Sequence, residues 1–520
     1  MEAMSDIRPL LAILVSMVAV GLILASDKKP NVREGWSIGA GIIKFLIVLS
    51  MAPTILSGQI LEYTLYTFVP GLDIKFRVDP FGMVFATIAS GLWIVTTFYS
   101  IGYMRGTNEK KQTRYFACFA ISVASALGVA FSANLLTLFI FYEFLSLATF
   151  PLVNHKETPE SFLGARKYLI YLVGASKTFL LAAIILTYSV AGTLEFSKGG
   201  LFAGKGAPWM LVLIYLFFIY GFAKAAIMPV HAWLPAAMVA PTPVSALLHA
   251  VAVVKVGVFS VLRVIFHVFG PELMGQLHLG VMTAYLVSFT IIMASIYALT
   301  RDNLKARLAY STVSQLSYVI LGAALLSPSG MTAGVIHIAN HAISKITLFF
   351  CAGSIYVASH KTNISQMRGI GRKMPWTMTA FSIGALSMIG VPPVAGFVTK
   401  WYLALGAIEA GQIPILFVLI ASTILNAGYF VPVIYTAFFH APEGEAHGHG
   451  PALHPAPQSV GAMAAHDDHT LGHGAGTSHD EDFGEASPFV YVPLMVTAIL
   501  SVLVGLFPDY FLALAKLVIQ

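Results

Sequence analysis

The chain has 520 residues, of which 57% are hydrophobic and only 10% are charged. Soluble domains carry about 25% charged residues, so this composition excludes an ordinary soluble protein. The formal net charge of +6 does not indicate nucleic-acid binding, because the basic residues lie in short loops between apolar segments, where membrane orientation explains them.

Apolar stretches recur along the whole chain, and stretches of about 18 residues or more predict membrane-spanning helices. The sequence therefore predicts an all-α integral membrane protein with about fourteen transmembrane helices. In chain order the predicted spans cover residues 8–26, 36–57, 80–103, 115–132, 134–153, 163–190, 209–240, 243–268, 278–299, 307–326, 331–358, 376–411, 413–438 and 487–516.

Two predicted spans are too long for one straight helix and contain paired prolines. The seventh span holds Pro229 and Pro235, and the twelfth holds Pro392 and Pro393. Proline breaks a helix, and a break at membrane depth survives only inside protein or beside a water-filled cavity. We expect two broken helices, and their spacing predicts that helices 4–8 and 9–13 form two inverted five-helix repeats around an ion path. A pair of ordinary proline kinks is the alternative.

Basic residues are distributed unequally between the loops. The odd-numbered loops hold about 17 lysines and arginines and the even-numbered loops about 4, and basic residues collect on the cytoplasmic side. The four on the even side are Lys75, Arg77, Lys198 and Lys205. This asymmetry predicts cytoplasmic odd loops in an inner or cytoplasmic membrane, with both termini on the outer, periplasmic side.

The predicted organisation has five parts. They are the first three transmembrane helices (1–114), the first repeat with helices 4–8 (115–268), the second repeat with helices 9–13 (278–438), a His-rich cytoplasmic loop (440–486) and a C-terminal helix 14 (487–520).

Ionisable residues lie well inside the predicted spans. They are Glu143, Lys177, Lys224, His249, Lys255, His337, His341, Lys345 and Lys400. A charge at the bilayer centre costs roughly 2.5–3.5 kcal/mol on insertion scales, and such residues normally mark ion pathways. Snorkelling toward the membrane surface or single structural hydrogen bonds could account for Lys177, and for Arg263 in the eighth span, but not easily for the whole set.

These residue types suit proton transfer. A desolvated lysine loses its proton more easily, whereas a neighbouring carboxylate such as Glu143 makes it hold the proton. Histidine can carry protons between such lysines. His337, His341 and Lys345 are each four residues apart and therefore share one helix face. A single buried histidine is more often bonded to a carbonyl, but this spacing favours a proton wire.

Five segments of the sequence resemble a known family. They are NLLTLFIFYEFLSL (134–147), FAKAAIMPVHAWLPAAMVAPTPVSALLHAVAVVKVGVF (222–259), NLKARLAYSTVSQLSYVILG (303–322), HIANHAISKITLFFCAGSIY (337–356) and GIGRKMPWTMTAFSIGALSMIGVPPVAGFVTKWYL (369–403). Together they are similar to the antiporter-like subunits of respiratory complex I and related membrane hydrogenases, and to the large subunits of Mrp-type sodium/proton antiporters. The resemblance covers residues 80–440 and implies two inverted half-channels joined by a polar axis near the membrane midplane.

The resemblance also implies roles for the buried ionisable residues. Glu143 and Lys224 would be a coupled carboxylate–lysine pair, and Lys400 would be the terminal proton carrier toward the outside. The relay between them would contain Lys255 or His249, continued by Lys345 with His337 and His341.

The sequence departs from the family in three places. Lys177 lies in the sixth span, where no lysine is expected, and is either an extra relay group or a counter-charge to an acidic residue on a neighbour in a complex. No long lateral helix follows span fourteen, which favours a fourteen-span type.

The loop between spans thirteen and fourteen is rich in histidine, with His440, His447, His449, His454, His466, His469, His473 and His479. Its low apolar content predicts weak order; an inert linker, a proton-collecting surface and loose Zn²⁺ or Ni²⁺ binding are the alternatives.

Three functions remain open from the sequence: a proton-translocating subunit of a redox-driven pump, a subunit of a secondary Mrp-type Na⁺/H⁺ antiporter, and a membrane partner of a gradient-driven inorganic-carbon uptake complex. Cys118 and Cys351 form no iron–sulfur cluster pattern, so we expect no cofactor or resident metal and no catalysis by this chain alone. The expected partners are other membrane subunits, the lipid bilayer, protons or Na⁺, and a soluble redox arm in the first case. No nucleic-acid partner is expected.

Overall fold

Long apolar helices packed side by side make up most of the described part of the chain. The computed structural model describes residues 3–69, 71–441 and 483–520. Within these ranges the helices are α1 (Arg8–Ala25), α2 (Pro30–Leu56), α3 (Pro80–Gly106), α4 (Gln112–Ala130), α5 (Leu135–Val153), α6 (Pro159–Ala175), α7 (Leu181–Ala191), α8 (Pro208–Gly221), α9 (Trp233–Ala236), α10 (Thr242–Ala246), α11 (Val253–Arg263), α12 (Pro271–Gln276), α13 (Leu279–Leu299), α14 (Leu304–Ala324), α15 (Pro328–Ser359), α16 (Ile370–Lys373), α17 (Pro375–Ile389), α18 (Ala395–Glu409), α19 (Ile413–Phe439), α20 (Pro488–Leu506) and α21 (Asp509–Ile519).

Eleven helical segments of the described ranges are long and apolar enough to cross a membrane. They coincide with the predicted spans except the seventh, tenth and twelfth. The seventh and twelfth predicted spans are interrupted, so α8, α17 and α18 are each short. The tenth predicted span corresponds to α14, which is 21 residues long but rich in hydroxyl and amide side chains. The integral membrane class is therefore confirmed, and the count of fourteen helices stays a prediction, as do the inverted repeats and the five-part division.

The seventh predicted span is broken at the residues that the prolines indicate. Helix α8 ends at Gly221, and a 3₁₀ turn, Ala223–Ala225, follows before the short helix α9. The indole of Trp233 donates a 2.9 Å hydrogen bond to the carbonyl of Ala223, so a carbonyl released by the break finds a partner inside the protein. A Cβ atom at Gly257 of α11 would lie 2.2 Å from the nitrogen of Ala225, and this glycine therefore allows α11 to approach the break.

The twelfth predicted span is broken in a similar way. Helix α17 ends at Ile389 and α18 begins at Ala395. The carbonyl of Ile389 accepts a 2.6 Å hydrogen bond from Lys400. A Cβ atom at Gly396 would lie 1.8 Å from the carbonyl oxygen of Ser387, so only glycine allows the two half-helices to meet here. Both broken helices were predicted, and both breaks present backbone groups to buried polar side chains.

Three short π-helical turns interrupt the regular helices of the described ranges. They are Ser176–Leu180 between α6 and α7, Leu247–Val251 between α10 and α11, and Val264–Phe269 after α11. Such turns are rare and occur frequently at functional sites. The first carries Lys177 and the second carries His249, two of the ionisable residues inside the predicted spans.

A small sheet corrects the purely helical prediction. Strand β1 (Ala3–Ser5) pairs in parallel with β2 (Ile60–Val69), which pairs antiparallel with β3 (Leu72–Val78). The connection after α2 contains Tyr, Thr, Phe and Val residues, which favour strands. Leu61 of β2 and Val78 of β3 are directly paired and fully buried, so one end of the sheet packs against the helices.

Helix α15 lies at the centre of the molecule. It packs against α3, α10, α14, α17, α18 and α20, and almost all of its side chains from Gly330 to Ile355 are buried. Large apolar side chains on the outer helices are exposed instead, as in Leu46 of α2 and Phe417 of α19. The buried polar side chains of α15 therefore face other protein segments and not lipid, which positions the candidate path.

Candidate ion-translocation path

Lys224 lies in the 3₁₀ turn of the first break and is completely buried. Its ammonium donates hydrogen bonds to the carbonyl of Tyr142, at 2.9 Å, and to the hydroxyl of Ser146, at 2.6 Å. It also lies 3.1 Å from the centre of the Tyr142 ring. One turn of α5 therefore supplies the hydrogen-bonding partners of this ammonium.

Glu143 lies on the same turn of α5 but is paired with a different lysine. Its Oε2 is 3.2 Å from the ammonium of Lys177. Its Oε1 is buried and has no hydrogen-bond partner among the described residues. The direct Glu143–Lys224 ion pair that the family resemblance implies is therefore not formed in this structure, because Lys177 reaches the carboxylate from the π-helical turn. The sequence also left Lys177 without a partner inside the chain, whereas the structure pairs it with Glu143.

His249 lies in the π-helical turn between α10 and α11 and is completely buried. Neither ring nitrogen has a hydrogen-bond partner in the described part of the chain. The ring packs at 4.7 Å from the ring of Phe349 on α15. Buried polar groups are usually hydrogen-bonded, so this imidazole differs from those of His337 and His341, which contact polar side chains.

Lys255 and His341 join the two halves of the molecule. The ammonium nitrogen of Lys255, on α11, lies 2.6 Å from Nδ1 of His341, on α15. Both residues are buried, with at most 1% of their surface exposed. Because lysine can only donate when charged and imidazole can accept at one nitrogen, this contact is suited to passing one proton between the two groups.

His337 continues the contacts from His341 toward the second break. The two rings lie 5.7 Å apart on successive turns of α15. One nitrogen of His337 lies 3.1 Å from the side-chain oxygen of Gln315 on α14, and the other 3.1 Å from the hydroxyl of Thr399 on α18. Three helices therefore fix this ring, and Thr399 is the immediate neighbour of Lys400 in the chain.

Lys400 lies on α18 and its side chain reaches back to the second break, whereas Lys224 lies within the first. Its ammonium donates to the carbonyl of Ile389, at 2.6 Å, and to the hydroxyl of Thr423 on α19, at 2.8 Å. It lies 5.6 Å from the centre of the Tyr318 ring. Unlike Lys224, Lys255 and Lys345 it is partly exposed, which places it at an end of the buried chain of polar residues.

Lys345 lies on α15 one turn beyond His341 but makes contacts in another direction. Its ammonium donates a 2.8 Å hydrogen bond to Ser311 on α14. The hydroxyl of Tyr429 lies 3.0 Å from the same Ser311 hydroxyl and donates to the side-chain oxygen of Asn426 at 2.5 Å. The four-residue spacing from His337 to Lys345 is present on one helix, but Lys345 forms a side branch of the His341–His337 chain.

Uncharged polar residues complete the path, although the sequence did not identify them as candidates. They are Tyr142, Ser146, Ser311, Gln315, Tyr318, Asn340, Thr399, Thr423, Asn426 and Tyr429. A sequence signal was available for the group on α14, because Ser311, Gln315 and Tyr318 recur at helical spacing inside an otherwise apolar span. The partners on α18 and α19 depend on tertiary packing and could not be identified this way.

Arg263 forms a separate buried contact. Its guanidinium is paired with Asp79, which caps the N-terminus of α3, at distances of 2.5 and 3.1 Å. The pair is distinct from the chain of lysines and histidines, and it fixes the end of α11 to α3. Arg263 therefore does not extend toward the membrane surface, as the snorkelling alternative required.

The cofactor and metal expectations stay predictions. No cluster of three or more His, Cys, Asp or Glu side chains suited to a metal ion occurs in residues 3–69, 71–441 and 483–520. Most of the predicted His-rich loop (440–486) lies outside the described residues. Only residues 440–441 and 483–486 of it are described.

The described chain consists largely of apolar helices, and two of the predicted spans are broken near lysines and histidines inside the protein. This is the architecture of a polytopic membrane protein built like an ion transporter. The family described as "NADH:quinone oxidoreductase/Mrp antiporter, TM" matches residues 132–425. The family described as "NADH-Ubiquinone oxidoreductase (complex I), chain 5 N-terminus" matches residues 70–116. The chain belongs to this NADH:quinone oxidoreductase/Mrp antiporter family of membrane proteins.

Individual relatives agree with this assignment. NADH-quinone oxidoreductase subunit N of Desulforudis audaxviator is 33% identical over 75% of this chain and 78% of its own length. A protein of Rhizobium meliloti described as a probable K⁺/H⁺ antiporter component is 30% identical over 81% of this chain, which spans only 42% of that relative. A chain in the Mrp complex of a Dietzia species superposes with a TM-score of 0.83 at 21% identity, covering 99% of this chain and 96% of its own. That likeness establishes the shared fold.

Proposed function

We propose that this chain is a proton-translocating subunit of a multisubunit, redox-driven ion pump of the complex I or membrane hydrogenase type. Protons pass through Glu143, Lys224, His249, Lys255, His337, His341, Lys345 and Lys400. The chain conducts ions and does not itself carry out a redox reaction.

The observation that carries the proposal is the 2.6 Å contact between Lys255 and His341. It connects the half of the molecule that contains the first break with the half that contains the second. Lys224 at one break and Lys400 at the other are each held by a backbone carbonyl and a hydroxyl. This similarity supports two inverted half-channels, with the Lys255–His341 contact between them.

In the proposed mechanism a neighbouring protein of the complex changes the charge near Glu143. Lys224 then gains or loses its partner and releases a proton toward Lys255 and the histidines of α15. Lys400 is the terminal group and releases the proton on the outer side. The basic odd-numbered loops are cytoplasmic, and both termini are on the outer side. Other membrane subunits are the direct partners, and a soluble redox arm supplies the driving reaction.

A role in a secondary antiporter is the second candidate function. It is favoured by the 30% identity to the probable K⁺/H⁺ antiporter component. The same lysines and histidines serve in either case, and the difference lies in what energises the complex.

The experiment begins with the intact complex, purified from the native membrane in mild detergent and analysed by mass spectrometry. The complex is then reconstituted into liposomes that contain a pH-sensitive dye. Flux is driven by the electron donor of the copurified redox proteins, or by an imposed cation gradient where only membrane proteins copurify. Copurified redox proteins support the pump, and their absence together with cation-driven flux supports the antiporter.

The matched variants are Lys224→Ala and Lys44→Met. Lys224→Ala should lower driven proton flux by at least about 100-fold, the usual loss when a proton-transferring group is removed. Lys44 is an equally buried lysine whose ammonium faces the ring of Trp93 at 4.7 Å, and its helix α2 carries none of the path residues. Lys44→Met should keep wild-type flux. Full flux in the Lys224→Ala complex would overturn the proposed function.

A further inference from the structure

Lys177 and Lys224 approach the same turn of α5 from two sides. We propose that Lys177 is a positioning residue that holds the Glu143 carboxylate away from Lys224, so that Lys224 can release its proton. This inference rests on the proposed function. It names Lys177 as the residue that determines whether Glu143 and Lys224 form an ion pair.

The contacts of Glu143 leave room for either lysine. Oε2 is 3.2 Å from the ammonium of Lys177. Oε1 is buried and accepts no hydrogen bond from the described residues. An ionised carboxylate can accept several hydrogen bonds, so Glu143 is incompletely satisfied in this arrangement and can accept a second donor.

Lys224 is positioned to be that second donor. Its two hydrogen-bond acceptors are Tyr142 and Ser146, which precede and follow Glu143 on the same turn of α5. Its ammonium is therefore held on the turn of α5 that carries the carboxylate, close enough to interact with it electrostatically. Removing Lys177 would leave Lys224 as the remaining cation beside Glu143.

The position of Lys177 fits a group that can release its partner. It lies in the π-helical turn Ser176–Leu180, and its side chain is 53% exposed, whereas Glu143 is buried. The exposed side chain lies at the lateral face of the molecule, beside the ring of Phe139 at 5.2 Å. One lysine is thus accessible from outside the chain and the other is sealed within it.

Few charged or titratable groups of the described residues lie around Glu143, so the consequence of removing Lys177 can be stated. They are Lys177 from the π-helical turn, Lys224 from the 3₁₀ turn and Tyr142 from α5 itself. Without Lys177 the carboxylate pairs with Lys224, and a carboxylate partner makes a lysine hold its proton. Transport then requires a higher pH to remove the proton from Lys224.

The test uses the intact reconstituted complex and the pH dependence of driven proton flux. Lys177→Ala should shift the pH–flux profile upward by about one unit, the lower end of the effect of one neighbouring opposite charge, and should lower flux at neutral pH by about tenfold. Lys177→Arg keeps the ion pair and should restore the wild-type profile. Thr178→Ala is the matched control, because Thr178 shares the π-helical turn and donates only to the carbonyl of Gly174.

An unshifted profile in Lys177→Ala overturns the inference, whatever the size of the flux, because a merely structural role lowers flux without moving its pH dependence. A shifted profile that Lys177→Arg fails to restore also overturns it. The proposed function is judged separately by Lys224→Ala. If that variant loses flux while Lys177→Ala behaves like the wild type, only the inference about Lys177 fails.

Discussion

The ammonium nitrogen of Lys255 lies 2.6 Å from Nδ1 of His341, and this contact joins α11 to α15 inside the protein. The other ring nitrogen of His341 is buried without a partner among the described residues. His341 therefore has one nitrogen directed to a proton donor and one available for the next transfer. The two predicted repeats meet at this pair.

His341→Gln is expected to stop proton flux while the complex still assembles. Glutamine can form hydrogen bonds in place of imidazole, but it has no nitrogen that takes up and releases a proton near neutral pH. Driven flux should fall by about 100-fold, as measured with a pH-sensitive dye in reconstituted liposomes. Equal amounts of copurified proteins from both preparations provide the control for assembly. Wild-type flux in the glutamine variant would remove His341 from the path.

Ser146→Ala should weaken transport without abolishing it. The hydroxyl accepts a 2.6 Å hydrogen bond from Lys224, and the carbonyl of Tyr142 remains as the other acceptor. Loss of a hydrogen bond to a charged group is worth about 1.5–3 kcal/mol. Because the second acceptor remains, the lower end of this range applies, and flux should fall by about tenfold.

Ser16→Ala is the matched control for that substitution. Ser16 lies on α1, is fully buried, and its hydroxyl has no partner in the described ranges. The same change of side chain there removes no hydrogen bond, and flux should be unchanged. Equal losses in both variants would show that Ser146 contributes by packing alone.

Gly257→Ala should disturb the first break directly. A Cβ atom at Gly257 would lie 2.2 Å from the nitrogen of Ala225 and 2.3 Å from the carbonyl carbon of Lys224. Backbone atoms cannot move aside cheaply, and overpacking of this kind destabilises by about 1–3 kcal/mol. The apparent melting temperature of the purified complex and its proton flux should both decrease. Gly174→Ala on α6 meets no atom within 4 Å, so a similar decrease there would contradict the explanation.

The ion pairs of Glu62 predict that the sheet is less stable at low pH. Its carboxylate pairs with Lys75 at 2.8 Å and with Arg77 at 2.5 Å. Burial raises the pKa of Glu62, but the two cations outweigh burial and hold that pKa below its ordinary value of 4.5. Because the pKa is lowered in the folded protein, the stabilisation is fully present above the ordinary value and is lost as the pH falls through the lowered one.

Hydrogen exchange of peptides covering residues 60–78 measures this effect. After correction for intrinsic exchange rates, protection should decrease at about pH 3 relative to about pH 7. Glu62→Gln should show the lower protection already at neutral pH. Protection that is independent of pH in the wild-type protein would contradict a stabilising role for this carboxylate.

The sequence was sufficient for the features that membrane physics dictates. Long apolar stretches predicted the spans, and paired prolines predicted both breaks, because an interrupted helix at membrane depth requires buried partners. The same reasoning selected Lys224, Lys255 and Lys400, since isolated charges in apolar spans are costly unless they are functional. These residues do lie buried or partly buried beside the breaks and between them.

The sequence was not sufficient where partners depend on tertiary packing. Lys177 was left without a partner in the chain, yet a π-helical turn carries it to Glu143. Such a turn has no signature in composition or periodicity. The sheet was missed for a related reason, because β2 and β3 gain their stability from pairing and from packing against helices, not from local hydrophobicity.

The most direct test of a continuous proton path is the driven proton flux of the intact complex carrying Lys255→Arg. Arginine keeps the positive charge and can donate to His341, but it does not lose its proton in proteins. Transfer through a titrating lysine therefore predicts that flux falls by about 100-fold even though the charge is kept. Wild-type flux in the Lys255→Arg complex would show that Lys255 supplies only a fixed charge, and the path through Lys255 and His341 would have to be abandoned.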